Sequence, residues 1–293
     1  MRALAALLLI AASGPSVLFT IPAEHRLVEG IATDGETVFV SSVLDRTIRV
    51  QIKGMMGAFV LPDDVANPMG MAWDAQRNWL WIATDCPDLP GVKPCDSGAL
   101  VAIDRKGRVK ARYRPDTPLH SGDVSVGGGS VFVSDSRNGA VYCLTRKGRG
   151  LETLVAPGVG KSAQGSAIDA TGKRLIMADY SRGLFAIDLA TGARVALPED
   201  GKPIRGLDGL VRAGDWYFAI YNGSAPGRLI RFRIDGDKIV DGEAVPVDLP
   251  DPTQIAVRGD QLLIVANAGW ETVAKSPDRP RDPAPIVAVP LPR

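Results

Sequence analysis

The stretch that decides the fold of this chain runs from Gln164 to Asp188 and reads QGSAIDATGKRLIMADYSRGLFAID. It contains three short apolar runs, at residues 166–168, 175–178 and 184–187. A polar turn around Gly172 separates the first two runs, and a turn ending in Gly183 separates the second from the third. Short apolar runs bounded by Gly, Asp and Ser are typical of strands that are joined by tight turns. The stretch therefore predicts three antiparallel strands of one small sheet.

The same pattern occurs six times along the chain. The residues just before the first strand of each copy, called the strand-start positions below, are Glu29, Met69, Gly122, Gln164, Asp208 and Thr253. They are separated by 40, 53, 42, 44 and 45 residues, which is close to the period of propeller blades. We therefore predict an all-β fold, a six-bladed β-propeller of four-stranded antiparallel blades. Residues 17–21 are predicted to pair with a C-terminal strand at residues 286–290 and so to close the ring.

Composition and charge narrow the class of protein. The 293 residues are 45% hydrophobic, and the formal net charge is only +1. No block of like charge indicates nucleic acid as a partner, and no signal indicates a protein partner. We expect a single propeller domain over residues 15–293, with no membrane span.

Residues 1–14 resemble a secretory signal peptide. Arg2 is followed by a run of Ala, Leu and Ile up to Ala12, which is too short to span a bilayer. A periplasmic or secreted protein is therefore expected. A buried first strand or a retained anchor at a lipid surface is the alternative interpretation of this run.

The three cysteines agree with an oxidising compartment. Cys86 and Cys95 bracket a proline-rich insertion in the second blade, where a disulfide would hold a loop that has no sheet to support it. A cysteine-based metal site lacks the required ligands. Cys143 lies in a predicted strand and is expected to be a buried free thiol.

The strand-start positions hold the first candidate site. In a propeller the innermost strands line the central channel, so these six residues should face one another across one mouth. Glu29, Gln164 and Asp208 would bring two carboxylates and an amide oxygen together, and such hard oxygen ligands suit Ca²⁺, with Zn²⁺ or Mg²⁺ as alternatives. The other interpretation is that Glu29 and Asp208 only cap turns.

Other polar and aromatic residues are candidates for substrate contact. Tyr180, Asn222 and Trp270 follow the second strands of their blades, and they bind substrate only if those strands end at the same mouth. His120, two residues before Gly122, is a further candidate, although a surface role is the alternative. With only two histidines, the chain has no multi-histidine metal site.

Three motifs carry a resemblance to a known family. The segments LVEGIA around Glu29, QGSAID from Gln164 and LDGL around Asp208 resemble the gluconolactonase, regucalcin (senescence marker protein) and luciferin-regenerating enzyme family. The resemblance implies a six-bladed propeller with one divalent metal ion in the channel mouth. It also implies a hydrolase that acts on a sugar lactone or a related small ester.

The residues of this chain depart from the family pattern at two positions. The family's metal-binding Glu and Asp fall on Glu29 and Asp208, but its Asn falls on Gln164, whose side chain is one methylene longer. The Asn of the family's substrate-contacting Asn-Asp pair falls on Gly122, so only Asp123 remains.

The mechanism that follows from this site is metal-assisted hydrolysis. The metal would polarise the lactone carbonyl, and Asp208 would serve as the general base. Metal-activated water and Asp123 are the alternatives for the base. A binding propeller without catalytic activity, with a structural or vestigial metal site, is the competing function.

Overall fold

The computed structural model describes residues 14–25, 27–275 and 282–292. Its strands form six separate four-stranded sheets, each antiparallel, and these are the six predicted blades. The first blade contains β2 (Val28–Thr33), β3 (Thr37–Ser42), β4 (Thr47–Ile52) and β5 (Met55–Val60). The second contains β6 (Asn67–Asp74), β7 (Trp79–Asp85), β8 (Ala99–Ile103) and β9 (Val109–Tyr113).

The remaining blades follow the same plan. The third contains β10 (Ser121–Gly127), β11 (Ser130–Asp135), β12 (Val141–Leu144) and β13 (Glu152–Val155). The fourth contains β14 (Ala163–Ile168), β15 (Arg174–Asp179), β16 (Gly183–Asp188) and β17 (Arg194–Leu197). The fifth contains β18 (Leu207–Ala213), β19 (Trp216–Tyr221), β20 (Arg228–Asp235) and β21 (Lys238–Val245).

The sixth blade closes the ring as predicted. Its strands β22 (Ile255–Arg258), β23 (Gln261–Val265) and β24 (Ala284–Pro290) are joined by β1 (Ser16–Ile21) from the N-terminus. β1 pairs antiparallel with β24, for example Val17 with Val287. The two ends of the described chain therefore meet in one sheet.

Burial follows the position of each strand within its blade. The second strands, such as β7 and β15, are buried along nearly their whole length, since both of their faces pack against neighbouring blades. The outer strand β9 alternates between half-buried and exposed residues, as expected of an edge strand with one solvated face. The apolar core therefore lies between the blades.

The predicted disulfide between Cys86 and Cys95 is present, and it closes the insertion that follows β7. Cys143 in β12 is a free cysteine, but it is half-buried rather than fully buried. One short helix, α1 (Trp270–Lys275), follows β23 and was not expected from the sequence. Among the described residues, no helix has the length and apolarity to cross a membrane. The predicted signal peptide falls on residues 1–14, of which 1–13 lie outside the described residues.

Candidate functional site at the channel mouth

A β-bulge lies at the start of the first strand in five of the six blades. At each bulge two consecutive residues face one residue of the second strand, which bends the strand and redirects its side chains. The five pairs are Glu29-Gly30, Met69-Gly70, Gly122-Asp123, Gln164-Gly165 and Asp208-Gly209. The first member of every pair is a strand-start position, so the sequence repeat and the bulges coincide.

Close approach between neighbouring first strands explains the glycines in these pairs. A Cβ atom on Gly30 would lie 2.3 Å from the Met69 carbonyl oxygen, and one on Gly209 would lie 2.8 Å from the Thr253 carbonyl oxygen. No side chain fits at either position without moving backbone. The bulge and its glycine together hold the preceding side chain at the mouth of the channel.

A cavity of about 630 Å³ opens at this mouth. Five of the six strand-start residues line it; the sixth, Thr253, does not, and its hydroxyl donates to the Glu29 carbonyl oxygen at 3.0 Å. The side chains that carry polar or aromatic groups into the lining are Glu29, Ser136, Gln164, Tyr180, Asp208, Asn222, Ser224, Asp251, Asn267, Trp270 and Thr272. No Lys, Arg or His is among the described residues that line it.

Glu29 is a buried carboxylate on β2. The indole Nε1 of Trp270 donates a hydrogen bond to its Oε2 atom, which links the first blade to α1 in the sixth. Burial raises the pKa of Glu29 well above its ordinary value, and the negative charge of Asp208 raises it further, while the Trp270 hydrogen bond lowers it. Glu29 is therefore a desolvated acid that has no cationic partner among the described residues lining this cavity.

Asp208 is the second buried carboxylate, on β18. Its Oδ2 atom accepts a hydrogen bond of 2.8 Å from Asn222 Nδ2, and its Oδ1 atom accepts a longer one of 3.4 Å from Gln254 Nε2. Burial raises the pKa of Asp208 to about 7, the Asn222 hydrogen bond lowers it, and the charge of Asp251 raises it. Glu29 and Asp208 thus share one cavity and repel each other, and Asp251 lines the same cavity.

Asn222 has an acceptor that nothing in the described structure satisfies. Its Nδ2 group donates to Asp208 Oδ2 and, at 3.0 Å, to the Pro252 carbonyl oxygen. Its Oδ1 atom is buried and has no hydrogen-bond partner among the described residues. A buried acceptor without a partner is costly, so a hydrogen-bond donor or a cation beside this oxygen would stabilise the site.

Gln164 lines the same cavity but turns toward the third blade. Its Nε2 group donates to Ser162 Oγ at 3.2 Å, and a Cβ atom on Gly122 would lie 2.7 Å from its Oε1 atom. The absence of a side chain at Gly122 therefore provides the space that the longer Gln164 side chain occupies.

The structure does not bring Asp123 and His120 into the mouth. Asp123 is the second residue of its bulge, so it lies deeper and lines a separate cavity of about 430 Å³ toward the other end of the channel. Burial raises its pKa to about 7. His120 is not among the lining residues of either cavity; its Nδ1 atom lies 3.2 Å from Asp85 Oδ1.

The second strands do end at the same mouth. Tyr180, Asn222 and Trp270 all line the cavity, and the Tyr180 hydroxyl donates to the Asn222 carbonyl oxygen at 3.4 Å. Burial raises the pKa of Tyr180. Five polar lining residues were missed because they carry no repeat signal: Ser136, Ser224, Asp251 and Asn267 lie outside the named strands and helix, and Thr272 lies in α1.

The donor set of the mouth fits a divalent cation that takes oxygen ligands. Among the described residues, no group of three or more His, Cys, Asp and Glu side chains is placed to hold a metal ion. The mouth instead offers the carboxylates of Glu29 and Asp208 together with amide oxygens, one of which is orphaned. A cation would offset the repulsion between the two buried acids and give that amide oxygen a partner.

Comparison with known proteins finds similarity in structure only. The chain matches no protein-family model and no curated protein. It is similar to the calcium-binding protein regucalcin from Agrobacterium tumefaciens, with 18% identity, a TM-score of 0.65, and coverage of 94% of this chain and 98% of the other. A protein proposed to be a gluconolactonase has 14% identity and a TM-score of 0.66, with 97% and 95% covered. These likenesses establish the fold.

The same fold also serves a different chemistry. A PQQ-bound aldose sugar dehydrogenase from Streptomyces coelicolor has 16% identity and a TM-score of 0.63, with 95% of this chain and 99% of the other covered. The resemblance noted from the sequence motifs is therefore matched by the architecture, while function has to be argued from the side chains in the mouth.

Proposed function

We propose that the protein is a metal-dependent hydrolase of the gluconolactonase type, acting on a sugar lactone or a related small ester. The observation that carries the proposal is the buried pair Glu29 and Asp208, which come from two blades into one cavity without a basic partner in its described lining. A divalent ion, with Ca²⁺ favoured and Zn²⁺ or Mg²⁺ as alternatives, would be held by these carboxylates and by amide oxygens. When bound, it supplies Lewis-acid polarisation of the substrate carbonyl.

The residues of the chain perform the remaining tasks. Trp270 fixes one oxygen of Glu29, so the carboxylate is held in one orientation. Asn222 does the same for Asp208. Asp208 in its ionised form is the acceptor for the proton of the attacking water, which is a task for a group within hydrogen-bond reach of that water. Asp123 is a weaker candidate for the base, because it lines the other cavity.

The lining favours an uncharged, hydroxylated substrate. Tyr180 and Trp270 offer aromatic surface, while Asn267, Ser224 and Thr272 offer hydrogen-bonding groups at the same mouth. Phosphate or carboxylate groups on a substrate would meet acids and no base among the described lining residues. A neutral sugar lactone meets these conditions.

The competing proposal is a propeller that binds a ligand without catalysis. Gly122 and Met69 leave two of the strand-start positions without a polar side chain, which favours this alternative.

An assay of lactone hydrolysis distinguishes the hydrolase from the binding propeller. Protein treated with EDTA is assayed by pH-stat against neutral sugar lactones, before and after Ca²⁺, Zn²⁺ or Mg²⁺ is restored. Hydrolysis that depends on metal and is lost in Asp208→Ala supports the enzyme; ligand binding without turnover in every metal supports the binding propeller.

Export is a second part of the proposal. The apolar N-terminal segment and the Cys86–Cys95 disulfide both agree with an oxidising compartment outside the cytoplasm. N-terminal sequencing of the mature protein from fractionated cells tests it: a start near residue 15 supports export, and an intact Met1 in the cytoplasmic fraction contradicts it.

A further inference from the structure

We infer that Asn222, and not Gln164, supplies the amide oxygen that completes the cation site with Glu29 and Asp208. The inference rests on the proposed metal site and deepens it, because it assigns a ligand that the family pattern does not place at this position. Three features of the mouth support this assignment: the orphaned oxygen of Asn222, the fixed orientation of its amide, and the direction of the Gln164 side chain.

The orientation of the Asn222 amide is determined by its neighbours. Two acceptors surround Nδ2, namely Asp208 Oδ2 at 2.8 Å and the Pro252 carbonyl oxygen at 3.0 Å. Exchanging the nitrogen and oxygen would place the amide oxygen against these two acceptors with no donor between them. The Oδ1 atom therefore faces away from both, and it is buried without a partner in the described structure.

The position of Asn222 also suits a ligand. The residue lines the mouth cavity, and its amide is bonded directly to the Asp208 carboxylate. A hydrogen bond from one atom of the amide to a ligating carboxylate is the kind of contact that orients the ligands of metal sites. One side chain thus holds Asp208 through Nδ2 and presents an oxygen of its own through Oδ1.

Gln164 is arranged differently. It belongs to the fourth blade, and its Oε1 atom lies against Gly122 of the third blade, whereas Asp208 belongs to the fifth. Its Nε2 group is bonded to Ser162 within its own blade. The side chain has turned into the space left by the glycine, on the side of the fourth blade opposite Asp208. Gln164 therefore lines the cavity at the mouth but is not a ligand of the proposed cation.

Calcium titration by isothermal calorimetry tests the inference on the purified, EDTA-treated protein. The variants are Asn222→Ala, Asn222→Asp, Gln164→Ala and the matched control Asn267→Ala, which removes an amide from the same cavity. Both Asn222 variants lack the Nδ2 donor, and only Asn222→Asp keeps an oxygen at the Oδ1 position. Loss of groups that merely orient ligands costs about 10–100-fold in metal affinity, so a lost ligand should cost at least about tenfold.

The expected result is a loss of at least about tenfold in Asn222→Ala and a clearly smaller loss in Asn222→Asp, which loses the orienting donor but keeps an oxygen ligand. Gln164→Ala and Asn267→Ala should stay within about threefold of wild type. Equal losses in both Asn222 variants would show that the residue acts only through its donor, and would overturn the inference. So would unchanged affinity in Asn222→Ala, or a tenfold loss in Gln164→Ala.

The outcomes separate this inference from the proposed function. Wild-type protein that binds no Ca²⁺, Zn²⁺ or Mg²⁺ overturns the metal-dependent function and the inference together. Wild-type protein that binds one ion and keeps its affinity in Asn222→Ala overturns the inference alone. Melting temperatures in EDTA serve as the folding control, because Nδ2 also binds the Pro252 carbonyl oxygen.

Discussion

Asn222 Nδ2 lies 2.8 Å from Asp208 Oδ2, so an amide at the end of β19 orients a carboxylate at the start of β18 within one blade. Trp270 makes the corresponding contact with Glu29, but between blades. Glu29 and Asp208 are thus each oriented by a side chain at the mouth, and neither is neutralised by a base in the described lining. This arrangement leads to four predictions.

Trp270→Phe should weaken cation binding. Phenylalanine keeps an aromatic ring at the cavity but removes the Nε1 donor that orients Glu29 and lowers its pKa. We expect a loss of about tenfold or more in Ca²⁺ affinity at neutral pH, with a smaller loss at pH 9, because the higher pH favours the ionised form of Glu29 in both proteins. The measurement is calorimetric titration at the two pH values. Equal affinity of the two proteins at neutral pH would contradict the orienting role.

Gly30→Ala should destabilise the propeller. The added methyl group would lie 2.3 Å from the Met69 carbonyl oxygen, so the first two blades would have to separate. Overpacking of this kind costs about 1–3 kcal/mol in the free energy of unfolding. The control is Gly57→Ala on the outer strand β5, where a Cβ atom meets nothing within 4 Å. Urea denaturation checks the pair, and equal midpoints would contradict the close approach at the bulge.

The metal-free protein should lose stability as pH rises from about 4 to about 7. Burial raises the pKa values of Glu29, Asp123 and Asp208 above those of the unfolded chain, so the folded state binds more protons in this window. When the folded state binds more protons, the free energy of unfolding falls with increasing pH. Added Ca²⁺ should therefore stabilise the protein more at pH 8 than at pH 5.

Melting temperatures in EDTA and in Ca²⁺ at the two pH values provide the measurement. Asp104 and Asp188, whose pKa values are lowered by hydrogen bonds, act in the opposite direction, but only below about pH 4. Asp208→Asn is the control and should show a weaker pH dependence in EDTA. A melting temperature in EDTA that rises between pH 5 and pH 8 would be inconsistent with uncompensated acids in the channel.

Removal of the disulfide by Cys86→Ser with Cys95→Ser should lower stability. The two cysteines are 9 residues apart, and closing a loop of that size corresponds to about 2–3 kcal/mol in the chain-entropy description. We expect a lower melting temperature and faster proteolysis within residues 87–94, but unchanged Ca²⁺ affinity, because the cysteines do not line the mouth. Cys143→Ser, which alters the free thiol, is the control. A loss of Ca²⁺ affinity in the double variant alone would place the insertion at the site.

The architecture was predictable because it is repeated. Short apolar runs with turns at a period near 44 residues specify a blade, and six copies specify the ring. Pairing of β1 with β24 followed from an apolar segment at each end of the chain that no other sheet required. The disulfide followed from two cysteines around a segment without strand signals. The blades, the ring closure and the disulfide could therefore be predicted from the repeat and from local sequence patterns.

The orientations of the side chains in the site could not be predicted from the sequence. Gln164 turns toward Gly122, a residue 42 positions earlier in another blade, and that space exists only because the position has no side chain. Asp123 lies below the mouth because the bulge in β10 has glycine first and aspartate second, the reverse of the other bulges that carry an acid. The contact between Asn222 and Asp208 depends on where β19 ends relative to the bulge in β18. None of these relations is contained in a local sequence pattern.

The central claim is that the channel mouth holds one divalent cation through Glu29 and Asp208. The most direct measurement is the metal content and melting temperature of the purified mature protein and of Asp208→Ala, after EDTA treatment and again with Ca²⁺ or Zn²⁺ restored. At a hundredfold excess of free ion over the dissociation constant, binding should stabilise the wild type by about 2.7 kcal/mol. We predict one ion per chain and this stabilisation in the wild type, and neither in Asp208→Ala. A wild-type protein that retains no ion and does not respond to added metal would contradict the account.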